Sequence, residues 1–105
     1  MERPDLLHAF QRPRLQLSQR LLERYEGAYT DPDYPEDPDP VIEASRGKLH
    51  ILVGGQEWPL VFHAETPERF YTEGVDVDLS FRRNEQGRLS LTLSDQRELT
   101  EFQRR

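Results

Sequence analysis

The 105-residue sequence predicts an all-β fold, an eight-stranded antiparallel up-and-down barrel with a short N-terminal helical segment. Two observations predict it. From Tyr25 onward, apolar side chains recur with period two in short runs, the pattern of strands with one buried face. Turn residues separate the runs at short intervals, so successive strands are joined as hairpins. A meander of that many strands protects its edges by closing on itself. An open sandwich would use the same strands, because sequence specifies neither closure nor shear.

The elements follow in chain order. Residues 1–17 read as a linker or docking segment: Leu6, Leu7 and Phe10 form one short amphipathic turn, and Pro13 interrupts it. Residues 18–105 read as the barrel domain. Ser18 stands as an N-cap before Leu21, Leu22 and Tyr25 at one-face helical spacing, and Gly27 ends that turn. Tyr25, Gly27 and Tyr29 share a face of a first strand, with Gly27 allowing a bulge or the close approach of another backbone. Residues 31–40 carry prolines at 32, 35, 38 and 40, and are therefore a surface loop.

Next come Val41–Arg46, a Gly47-Lys48 turn, and a strand to Val53 with Leu49, Ile51 and Val53 on one face. Gly54–Glu57 turns into Trp58–His63, with Trp58, Leu60 and Phe62 aligned. After residues 65–68 comes Arg69–Glu73. Val75–Arg82 then sets Val75, Val77, Leu79 and Phe81 against Asp76, Asp78, Ser80 and Arg82. Asn84–Gly87 is a hairpin loop, Arg88–Ser94 carries Leu89, Leu91 and Leu93 inward, and Arg97–Phe102 closes the chain.

Composition narrows function. With 20 acidic and 14 basic side chains the formal charge is −6, which opposes the phosphate neutralisation that nucleic-acid binding requires. Lack of cysteine removes disulfide and thiolate chemistry. No apolar run has the length of a signal peptide or a membrane span, so a soluble, cytoplasmic chain without membrane contact is expected.

The order and spacing of several short motifs resemble a known family. These are the Ser18-capped turn with Leu21 and Leu22, Tyr25-x-Gly27-x-Tyr29, Gly47-Lys48-Leu49, Pro59-Leu60, Arg69-Phe70, and Leu79-Ser80-Phe81-x-x-Asn84-x-x-Gly87-Arg88-Leu89. Over residues 18–102 the chain resembles the lipocalin-like C-terminal domain appended to penicillin-binding-protein-like and beta-lactamase-like serine hydrolases. The resemblance implies a barrel without catalytic residues or cofactor, packed on a hydrolase and influencing its oligomerisation or access to its active site. The acidic loop at 31–40 is longer than that family's first hairpin.

Candidate sites are few. Ser45-Arg46-Gly47-Lys48 matches Ser-x-x-Lys, which needs a helix to bring the amine to the nucleophile, whereas here it straddles a strand end and a glycine turn. Asp31, Asp33, Glu36, Asp37 and Asp39 are oxygen ligands without EF-hand spacing, and read as solvated charge. His8, His50 and His63 have no ligand-spaced partner, so neither catalysis nor a metal site is expected. The arginines at 69, 82, 83, 88 and 97 read as an outward, mixed-charge face. The inward residues Tyr29, Trp58, Phe62 and Phe81 are either packed core or the wall of a pocket for a small apolar ligand. Two functions therefore stand: a non-catalytic interaction module with a protein partner or self-association, docking through Leu6, Leu7 and Phe10, and a small apolar-ligand-binding barrel.

Overall fold

The structure, a computed structural model, describes residues 13–54, 56–96 and 98–105, the side chains of 56–59 excepted. Helix α1 spans Gln19–Glu23, followed by β1 (Gly27–Thr30), β2 (Pro40–Ser45), β3 (Lys48–Val53), β4 (Gln56–Ala64), β5 (Arg69–Tyr71), β6 (Val77–Arg83), β7 (Leu89–Asp95) and β8 (Glu98–Arg104). Each strand pairs antiparallel with its sequence neighbour, and β8 returns to β1, so the eight strands form a closed up-and-down barrel. The expected fold class holds, and closure excludes the open sandwich.

Closure is achieved at β1, whose first half pairs with β2 through Gly27↔Ile42 and Ala28↔Val41 and whose second half pairs with β8 through Tyr29↔Arg104 and Thr30↔Gln103. That last pairing explains why β8 runs two residues beyond the expected end at Phe102. Other boundaries shift as well. Tyr25 is not in the first strand, because its amide is bonded to the Leu22 carbonyl in the turn leaving α1. Arg69–Glu73 shrinks to Arg69–Tyr71, and Val75, expected inside, precedes β6 and is 50% exposed. Pro40 opens β2, at the strand-start position where its missing N–H is tolerated. Between β3 and β4 the register slips around Trp58-Pro59-Leu60, where Pro59 has no N–H to give the ladder.

The inner face follows from the registers. Ile42, Leu49, Ile51, Phe62, Phe70, Leu79 and Leu91 are each no more than 1% exposed and form one cluster with Leu22 and Tyr25. Ser18 caps α1 by accepting from the Leu21 amide, and α1 packs its buried Leu22 into the barrel end from which β1 departs. The side-chain amide of Gln19 donates to the Ala44 carbonyl, and the Glu26 carboxylate accepts from the Ala44 amide, so both fasten the helix to β2. The opposite end, spanned by the loop 31–39, has no such helix among the described residues.

Candidate functional site at the open end of the barrel

Of the four side chains read as packed core or pocket wall, Tyr29, Phe62 and Phe81 are packed core at the helix-capped end. Tyr29 and Phe62 are fully buried. Phe81 stacks on Tyr25 at 4.1 Å between ring centroids, and Phe70 meets both rings edge-on at 5.7 and 5.8 Å. The Tyr29 hydroxyl donates to the Tyr25 carbonyl at 2.7 Å, and the Tyr25 hydroxyl to the Pro67 carbonyl at 2.6 Å. Burial pushes the ionisation of both phenols upward, most strongly for Tyr29. The Trp58 side chain, and Leu6, Leu7 and Phe10, lie outside the described residues.

The remaining sequence candidates disperse. Ser45 and Lys48 face each other across a two-residue hairpin whose central residues, Arg46 and Gly47, both have positive φ, as a type I′ turn requires. No helix holds that pair, so the Ser-x-x-Lys match carries no mechanism. No group of three or more His, Asp or Glu side chains positioned to hold a metal occurs among the described residues. Within the acidic loop, Asp31 accepts from the Asp33 amide and Asp39 pairs with Arg105, whose hydrogen bond holds the Asp39 carboxyl below its usual range. The His63 ring lies 5.7 Å from that of Tyr71; desolvation, then the nearby Arg14 cation, lower its pKa.

A polar depression of about 690 Å³ near the β6–β7 hairpin is rimmed by Arg83, Arg88, Arg104 and Arg105. Three of these guanidiniums are occupied. Arg83 donates to the Gly87 carbonyl, Arg105 pairs with Asp39, and Arg104 donates at 2.7 Å to the Arg24 carbonyl at the C-terminal end of α1. Arg104 thus reaches back along the chain to cap a helix. Gly27 makes room for it: its φ is +138°, and a Cβ there would sit 3.2 Å from Arg104 Cδ. Sequence reasoning expected a bulge or the close approach of another backbone at Gly27; what comes close is the Arg104 side chain.

The open end offers different chemistry. Pro40, Val53, Leu93, Thr100 and Phe102 lie around a cleft of about 380 Å³ beneath Asp31, Asp37 and Pro38 of the loop. These five are inner-face positions: Pro40 pairs with Val53, Leu93 with Thr100, and Phe102 with the buried Leu91. Val53, Leu93 and Phe102 pack on the core beneath yet stay partly exposed. Among the described residues, the cleft is an unfilled continuation of the barrel interior. Sequence reasoning placed Val53 and Leu93 inside without recognising the opening. The available signal was their position at strand ends beside the one long loop. Comparison with known proteins gives no match to any family, to any curated protein or to any solved structure.

Proposed function

We propose that this chain is a non-catalytic interaction module resembling the lipocalin-like accessory barrels of penicillin-binding-protein-like serine hydrolases, acting through contact with a protein partner or with itself. The observation that carries this reading is the seating of the N-terminal arm. The Leu15 amide donates to the Ala64 carbonyl at 2.8 Å, Arg14 pairs with Glu73, and Leu17 packs against the core. Ala64 already pairs with Phe70 of β5, so Leu15 occupies its other side, beyond the start of β3. The seating holds residues 13–17 beside β4, which sets the place on the barrel from which an N-terminal docking segment would act.

The test separates arm from barrel. Removing residues 1–12 leaves the seated residues 13–17 intact, and the expected result is a folded barrel with altered oligomeric state by light scattering, or with lost binding to a serine hydrolase encoded beside it. Unchanged association in both assays rejects the docking role of Leu6, Leu7 and Phe10. A second reading, a carrier of a small apolar ligand, is favoured by the open cleft at Val53, Leu93 and Phe102.

A further inference from the structure

We infer that the open end of the barrel is a binding site for a small hydrophobic cation, its apolar part seated among Val53, Leu93 and Phe102 and its charge beside Asp31 and Asp37. This inference rests on the carrier reading and adds the class of ligand and the residues that select it.

Three features converge. The first is space: about 380 Å³ lies at the small end of the roughly 300–1,000 Å³ range of small-molecule sites. The second is lining. Pro40, Val53, Leu93 and Phe102 present hydrocarbon, Thr100 adds one hydroxyl, and the floor is the packed core below. Leaving Val53, Leu93 and Phe102 partly exposed forgoes hydrophobic stabilisation that an apolar group would recover on binding.

The third is charge. Asp31 and Asp37 overhang the cleft, and Asp95 and Glu98 face each other in register one inner-face step beyond Leu93 and Thr100. Arg105, at this rim, is taken by Asp39. An anionic amphiphile would meet like charge at the rim, whereas a cation meets opposite charge there.

The experiment uses the full chain and three probes that share an octyl tail, each below its aggregation concentration: octyltrimethylammonium, octanoate and octanol. Calorimetry gives affinity, and amide chemical shifts map the location. The expected result is octyltrimethylammonium binding at least about fivefold tighter than octanoate at low salt, an advantage that shrinks as salt screens the rim. Shifts should cluster at Val53, Leu93, Thr100 and Phe102. In the double variant Asp31→Asn, Asp37→Asn the cation preference should fall toward that of octanol. Asparagine at 31 keeps the acceptor for the Asp33 amide.

Equal binding of all three probes at the cleft overturns the cation assignment and leaves the carrier reading standing. Absence of binding, or shifts elsewhere, removes both. The Leu93→Trp variant, which fills the cleft, should abolish binding while retaining the wild-type circular dichroism spectrum. Should that variant fail to fold, the shift map on the unmodified chain decides the matter.

Discussion

The two ends of the barrel solve the same problem differently. At the helix-capped end, Leu22 and Tyr25 descend from α1 onto Phe70 and Phe81, three rings interlock at centroid distances of 4.1–5.8 Å, and each phenol hydroxyl meets a backbone carbonyl. At the open end the inner-face positions are mostly apolar, but among the described residues no element descends on them and Val53, Leu93 and Phe102 stay partly exposed. An inward side chain stabilises a barrel only as far as something covers it. Stability should therefore be concentrated at one end.

The largest expected effect tests that asymmetry. Phe70→Ala removes a fully interlocked ring and should cost about 3–5 kcal/mol, the usual range for a buried phenylalanine. Leu93→Ala, at a half-covered site, should cost only about 1 kcal/mol. Urea unfolding of both variants decides it, and equal costs would break the comparison.

Gly27→Ala comes next, at about 1–3 kcal/mol, because the chain must hold an alanine at φ +138° and the new methyl crowds Arg104. A double-mutant cycle with Arg104→Ala sharpens the point. Removing Arg104 relieves the crowding but not the backbone strain, so the coupling should recover only part of the loss.

How much of this was legible in the sequence follows from what period two encodes. Alternation states which side of a strand faces in, and it placed Leu49, Ile51, Phe62, Val77, Leu79, Phe81, Leu89 and Leu91 correctly; the β2–β3 and β6–β7 ladders are unbroken, and Phe62 lies on the regular side of the slip in β4. It says nothing about depth along the barrel axis. Of the candidate pocket wall Tyr29, Trp58, Phe62 and Phe81, the three described side chains lie under the helix, whereas the cleft among the described residues is at the far end. Nor does local pattern reveal that Tyr25 leaves the strand to stack on Phe81, or that Arg104 caps a helix begun 85 positions earlier at Gln19; both are products of tertiary closure.

Alkaline titration should expose the buried phenol as the next effect in size. Burial makes Tyr29 harder to ionise folded than unfolded, so its contribution is fully present below the unfolded phenol range near 10 and is lost as pH rises above it. The slope contributed by this one group is at most about 1.4 kcal/mol per pH unit. Tyr29→Phe should flatten the loss while costing about 1 kcal/mol at neutral pH, because the buried Tyr25 carbonyl loses its donor. An unchanged alkaline slope in that variant would assign the loss to other groups.

The smallest effect belongs to the seated arm, which bears on whether the helix-capped end is also where partners engage. Arg14 and Glu73 are both more than half exposed, so Arg14→Ala should cost well under about 1 kcal/mol. What fastens the arm is the backbone bond from Leu15 to Ala64, which the substitution leaves alone. Hydrogen exchange at the Leu15 amide should therefore stay slow in the variant. Fast exchange there would mean that the ion pair, a salt-sensitive surface contact, seats the arm, and the orientation of the N-terminal segment would then loosen as ionic strength rises.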